Sequence, residues 1–337
     1  MAISITLPDG SKKVFAKPVS GLEVAKAIGP RLAQAALGIK VDGELRDLAT
    51  VIDRDASVAI VTEKQRDGSV DPDALFLIRH SAAHVMAEAI QDVIGKEVQL
   101  AYGPPTDTGF FYDMHVPGRP MTAGDFERID ARIAEIIKED RPFSRYEEPG
   151  PTGLERLKRE GNKYKVDNAE RALGLPSSVY NDGKPFAAAP AEKQGAQVLS
   201  FYATGAPRKN WEDLCRGPHV PSTGRIGAAR VMSLASSYWH GDEKSDRLTR
   251  VYGTAFPNKE QLEAYLHQLD EAKKRDHRVI GRQMRLFHID ETVGQGLILW
   301  TPNGSIVRKE LQTFIAAELA KQGYTEVFTP HIGSLDL

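Results

Sequence analysis

Two short frames, far apart in the chain, restrict most strongly what this sequence can become. One is His80-Ser-Ala-Ala-His84 and the other is Asp213-Leu-Cys215-Arg-Gly-Pro-His219. Each sets two ligand-type side chains four residues apart. On a helix, that spacing projects both from one face, one turn apart. Together the frames offer three imidazoles and one thiol. That donor set suits zinc, or a hydrolytic centre built on the same geometry.

The first frame lies in a helical pattern. Asp71-Pro72 is a favourable start, with proline in the first turn. Leu75, Ile78, Ala82, Val85, Met86, Ala89, Ile90 and Val93 then recur at helical spacing, and Gly95 ends the run. A zinc protease with the same His spacing needs glutamate directly after the first His. Ser81 stands there, which argues against a protease. Taken alone, His80 and His84 would be satisfied core or surface histidines, and Cys215 a small buried hydrophobe. The neighbours Asp213 and Arg216 point instead to a polar pocket around the cysteine.

The chain has 337 residues, more than one ordinary core accommodates, so two or three domains are expected. Its apolar content of 41% and charged content of 27% read as soluble and globular. A net charge of −2 excludes a uniformly basic protein but leaves room for local basic patches. The single cysteine excludes an intramolecular disulfide framework and fits a reducing cytosol, so a cytoplasmic protein is expected. No apolar run reaches the roughly 20 residues that span a bilayer, so no membrane partner is expected. The N-terminus lacks the basic-then-apolar order of a signal peptide.

Residues 1–63 read as a small α/β unit. A hairpin turns at Pro8-Asp9-Gly10-Ser11, Ser20 caps a short helix, and strands follow near Leu37–Val41 and Val58–Val61. Residues 64–70 are polar and read as a linker. Residues 96–255 alternate strands, turns and helices, with helices predicted over Thr122–Glu139 and 151–175, a strand at Phe201–Ala203 and Trp239 in the core. Pro257 opens a long charged helix to about Leu286, which reads as a bridge between domains. A strand at Leu297–Trp300 follows Gly294-Gln-Gly296, which is too short for a nucleotide loop. A turn at Pro302-Asn-Gly304 then precedes a helix from about Ser305 to Gln322, and a strand at Thr325–Thr329 is closed by Pro330. The basic residues Lys158, Arg159, Lys163 and Lys165, and later Lys273, Lys274, Arg275 and Arg278, read as solvated faces, with phosphate contact as the alternative.

The hairpin–helix–strands order of residues 1–63 resembles the ubiquitin-like TGS module. The order of that module, the His-x-x-x-His helix, the Asp-x-Cys-x-x-x-His loop and a closing helix–strand resembles the front part of the bacterial-type threonyl-tRNA synthetase family. Gly103-Pro104, Gly109-Phe-Phe-Tyr112-Asp113, Lys163-Tyr164-Lys165-Val166, Tyr252-Gly253-Thr254-Ala255 and Arg275-Asp276-His277-Arg278 carry the same resemblance. It covers essentially the whole chain. The four-ligand set also occurs in alanyl-tRNA editing domains and free-standing deacylases, from which the TGS module and closing helix–strand separate this chain.

The resemblance implies an α+β multidomain fold. A β-grasp TGS module occupies 1–63, an α+β editing domain 64–255 and a linker helix 256–290. A truncated start of a class II antiparallel-sheet catalytic domain occupies 291–337. It implies an editing site built from His80, His84, Cys215, His219, Lys165, Asp213 and Tyr112, with zinc possible on the first four. The substrate it implies is threonine tRNA mischarged with serine. The full enzyme of the family is a homodimer that attaches threonine to its tRNA with ATP. Its ATP, magnesium and synthetic-site zinc belong beyond the last residue here, so the chain is expected to be a fragment or truncated product that does not aminoacylate by itself. The family usually has arginine in the Tyr-Trp-x-Gly-Asp stretch where this chain has His240. If that arginine touches RNA, the contact here should be weaker. The alternative reading is a non-catalytic RNA-binding or dimerising module.

Overall fold

The computed structural model describes residues 2–330, apart from 66, 180–196 and 295. The chain divides into two compact units, residues 1–263 and 264–337.

Alternation of apolar and polar residues starts the first unit. In β1 (Ile3–Thr6), Ile3 and Ile5 are buried while Ser4 and Thr6 face outward. After β2 (Lys12–Phe15) and the short β3 (Val19–Ser20), Ser20 caps α1 (Gly21–Ile28) in a reciprocal pair with Glu23. The order continues through α2 (Pro30–Ala35), β4 (Ala36–Val41), β5 (Glu44–Asp47), β6 (Val51–Ile52) and β7 (Ala56–Thr62). The five main strands lie in the order β2-β1-β7-β4-β5, with β1 and β7 parallel. Val24 and Ala25 of α1 pack with Ile5, Ile39 and Val58 of the sheet. This is the grasp-like module expected for this stretch.

The second helical signal becomes α3 (Pro72–Val93), capped by Asp71, whose side chain accepts from the Asp73 N–H. Every residue from Leu77 to Ile90 is buried. A helix sealed on all sides must be apolar nearly all round, and each polar group on it needs a partner. Leu37 and Val61 of the grasp module join its apolar cluster, and so do Ile129 and Ile133 of α4 (Phe126–Lys138). The latter helix is preceded by a 3-10 turn, Ala123–Asp125, rather than starting as one helix at Thr122.

Two antiparallel sheets frame α3. The first runs β13-β14-β9-β8, from β8 (Gln99–Tyr102), β9 (Phe110–His115), β13 (Ala228–Tyr238) and β14 (Arg247–Phe256). The second is β10 (Phe143–Pro149), β11 (Val198–Thr204) and β12 (Glu212–Leu214). The region 151–175, expected as one helix, is two: α5 (Gly150–Glu160) and α6 (Lys163–Ala172). Gly161, at φ +74°, makes the break, and the Asn162 side chain accepts from the N–H groups of Tyr164 and Lys165 to restart the helix. That restart puts Lys165 in a capped first turn.

The charged helix expected to run to about residue 286 also breaks. α7 (Lys259–Lys274) ends before Asp276, which caps α8 (His277–Gln283). In the second unit, β15 (Phe287–Ile289) pairs with β16 (Ile298–Trp300), and α9 (Pro302–Lys321) starts from a Thr301 cap. Pro302-Asn-Gly304 is thus the first turn of the helix and not a turn before it. The strand expected at Thr325–Thr329 does not form: residues 324–330 carry no regular structure, with Val327 76% and Phe328 92% exposed. A strand needs a neighbour for its backbone groups, and no described residue pairs there. Among the described residues no helix is long and apolar enough to cross a membrane.

Candidate active site

α3 supplies His80, Ser81 and His84, and the loop after β12 supplies Cys215 and His219. The ligand atoms of the three imidazoles and Cys215 all lie within 4.8 Å of one another. The hydrogen bonds around them assign the ring tautomers. His80 Nδ1 lies 3.0 Å from the Pro218 carbonyl oxygen, so that nitrogen carries the proton. Ser81 Oγ donates to the Leu77 carbonyl (2.8 Å) and accepts from the Val220 N–H (3.0 Å). With its only proton committed, the Ser81 oxygen can only accept from His219 Nδ1, 3.2 Å away. The Nε2 lone pairs of His80 and His219 then both face Cys215 Sγ, each at 3.4 Å.

A single thiol proton cannot serve two lone pairs. A thiolate with two imidazole nitrogens at this separation is the donor set of a tetrahedral zinc site. Among the described residues His84 Nδ1 is a buried nitrogen with no hydrogen-bond partner. On these grounds the residues fit a zinc ion.

Beside this cluster lies a second group. Tyr112 on β9 donates to an Asp213 carboxylate oxygen. Lys165 Nζ is 2.6 Å from the other Asp213 oxygen and 2.9 Å from the Tyr112 hydroxyl. His84 Nε2 approaches Asp213 at 4.0 Å and joins the two groups. All seven residues singled out in the sequence therefore meet in one place.

Burial sets the protonation states. It lowers His80 to about 4 and holds His84 and His219 well below the usual histidine value. It pushes the Cys215 thiol up to about 12 and the Tyr112 phenol well above its ordinary value, the latter helped by the nearby Asp213 charge. At neutral pH the site is three neutral imidazoles and a thiol beside an ion pair. Such neutral imidazoles accept a hydrogen bond from water and orient it, their basicity being lowered by burial, and the ammonium can meet a developing negative charge.

Several contributors were not legible as site residues. Ser81 looked like a mere substitution of the protease glutamate, yet it orients His219. Phe143 stacks on the His219 ring at 4.9 Å, and Trp211 meets the His84 ring edge-on at 5.5 Å. Asp47, in the grasp module, accepts the His219 backbone N–H at 2.8 Å. Only the spacing of Ser81 within the His frame could have pointed to any of these. His240 is turned into the protein, with Nε2 2.6 Å from buried Asp167. Of the basic residues, Lys165 is sealed within the site, while Lys158 and Lys163 pair with Glu170 and Asp246.

Comparison with known proteins follows the same division. Residues 3–62 match the TGS domain, and residues 199–252 match the threonyl and alanyl tRNA synthetase second additional domain. The threonine–tRNA ligase of Paramagnetospirillum magneticum is 41% identical over 336 residues, covering 99% of this chain and 48% of that protein. The threonine–tRNA ligase of Acidithiobacillus ferrooxidans is 42% identical over 330 residues, covering 97% of this chain and 46% of that protein. The chain thus spans about half the length of the curated relatives it matches. It belongs to the threonine–tRNA ligase family and corresponds to the portion that carries the TGS and second additional domains.

Proposed function

We propose that this chain hydrolyses the ester of serine wrongly attached to threonine tRNA. Serine is threonine without a methyl group. A pocket that gains one methyl discriminates by only about 1–3 kcal/mol, so a second, hydrolytic site is needed to raise accuracy. The observation that carries the reading is the set of neutral, buried imidazoles beside the Lys165–Asp213 pair.

In this reading His80 or His84 orients or deprotonates the attacking water. His84 offers the nitrogen without a protein partner. The Lys165 ammonium stabilises the oxyanion that forms on the ester carbonyl or contacts the terminal ribose. Tyr112 and Asp213 hold the serine ammonium and hydroxyl, and Cys215 and His219 complete the cluster. If zinc were held by three of His80, His84, Cys215 and His219, it would leave room for water or the ester carbonyl and would supply Lewis-acid polarisation at the same place. The whole enzyme, by the same reading, is a cytoplasmic homodimer that attaches threonine to its tRNA with ATP and magnesium, with a second zinc in its synthetic site.

One observation favours a second, non-catalytic role as a dimerising module. Helix α9 exposes Ile306, Leu311, Phe314 and Ile315, each more than half exposed.

The deciding experiment is deacylation of Ser-tRNA and Thr-tRNA, both on threonine tRNA, by the purified chain. Rapid loss of serine with threonine spared is expected. Loss of neither ester, with tRNA binding retained, would leave only the binding role.

A further inference from the structure

The catalytic loop is tied to a module that contributes nothing to its chemistry. Asp47 closes β5 of the grasp module. One of its carboxylate oxygens accepts the His219 backbone N–H at 2.8 Å, and the other accepts the Tyr202 hydroxyl at 2.5 Å. The Tyr202 ring in turn packs against the His219 ring with centroids 4.4 Å apart. Its hydroxyl also sits where a Cβ on Gly217 would be, 2.0 Å from that position. One carboxylate thus braces His219 by its backbone and, through Tyr202, by its ring.

We propose that Asp47 is a positioning residue for hydrolysis, through which the N-terminal module sets the geometry of the Cys215–His219 loop. This rests on the editing reading above. A carboxylate aimed at a backbone N–H fixes that peptide more firmly than a neutral acceptor does. Among the described residues no other acceptor holds the His219 backbone N–H. With the brace removed, His219 Nε2 and Cys215 Sγ lose their mutual register. The apolar clusters, whose members include neither Asp47 nor Tyr202, stay intact.

The test compares wild type with Asp47→Ala, Asp47→Leu, Asp47→Asn and Tyr202→Phe in the full chain. Two readouts are used: the kcat and KM of Ser-tRNA hydrolysis, and the rate at which iodoacetamide alkylates Cys215, the single cysteine. Asp47→Ala is expected to lower kcat on the order of ten- to a hundredfold with KM unchanged, as a misplaced reactive group does. It should also speed alkylation several-fold, roughly in step with the loosened hydrogen bond. Asp47→Asn keeps an acceptor for the N–H and should recover most of both. Should Asp47→Ala fail to fold, Asp47→Leu, of similar volume and with no acceptor, carries the test with the same expected directions, and Tyr202→Phe reads the ring half of the brace alone. Unchanged kcat and unchanged alkylation in whichever of Asp47→Ala and Asp47→Leu is folded overturns the proposal. A wild type that hydrolyses nothing would sink the editing reading alone, because the alkylation comparison still decides whether Asp47 holds the loop.

Discussion

Lys165 and Asp213 form an ion pair at 2.6 Å with both side chains almost wholly withdrawn from water, at 7% and 4% exposure. Each charge is tolerable only because the other is present. Removing one partner of such a pair costs about 3–5 kcal/mol, whereas replacing both by apolar groups is often neutral. Lys165→Met and Asp213→Leu are each expected to lower the urea midpoint sharply, and the double variant is expected to recover much of it. All three variants should be inactive in Ser-tRNA hydrolysis. A double variant no more stable than the worse single one would show that the pair does not act as a unit.

The four-ligand cluster makes a separate prediction. His84→Ala and Cys215→Ala should both lose hydrolysis by roughly 10²–10⁴-fold. The donor set should bind about one zinc per chain when the ion is supplied, more weakly in Cys215→Ala. Hydrolysis should nevertheless persist after exhaustive chelation, because neutral imidazoles beside a lysine can activate water directly. Activity that disappears with chelator and returns with zinc would reassign the chemistry to the metal.

Three buried neutral histidines also dictate how stability varies with pH. His80 falls from 6.5 to about 4 on folding, and His84 and His219 are likewise held well below 6.5 by burial and by their neighbours. Between those values and 6.5 the unfolded chain binds more protons than the folded one. Stability therefore rises with pH through this window. It is fully present above about 6.5 and is lost as pH falls toward 4, by about 1.4 kcal/mol per pH unit for each such histidine. Metal-free protein should show a steep acid decline in its urea midpoint, and His84→Ala should flatten it. An unchanged slope in that variant would contradict the assignment.

Gly217 has φ +74°, and an added Cβ would meet the Tyr202 hydroxyl at 2.0 Å. Gly217→Ala should cost about 1–3 kcal/mol from backbone strain, with the close contact in addition. Because Gly217 N–H also donates to Cys215 Sγ at 3.2 Å, hydrolysis should fall as well. Thermal melting and the deacylation assay on the same preparation would read both effects.

In the second unit, the exposed apolar side of α9 and the bare Phe328 should make the chain associate at high concentration. Leu311→Glu is expected to move the protein toward monomer in light scattering without altering hydrolysis. A clean monomer in the unmodified chain would remove the basis for this expectation.

Much of the architecture was readable in one dimension because its causes are local. The alternation of Ile3 and Ile5, the Ser20–Glu23 cap and the apolar recurrence from Leu75 to Val93 each report on neighbours a few residues away. Where reading failed, the deciding atom was small or distant. A left-handed glycine at 161 and a cap at Asp276 each divided a pattern that looked continuous. The strand expected at Thr325–Thr329 had suitable residues but no neighbouring strand among the described residues.

By itself the sequence determined which donors exist, their spacing on α3 and in the loop after β12, and the family those motifs resemble. It could not determine their states. Whether His80 is neutral depends on how completely α3 is enclosed, and whether His219 presents an Nε2 lone pair to Cys215 depends on Ser81 donating its hydrogen bond to the Leu77 carbonyl. The anchoring of that loop by Asp47 joins residues 172 apart. Desolvation and hydrogen-bond partnership belong to a residue's surroundings, and those surroundings are assembled by long-range packing that no local pattern encodes.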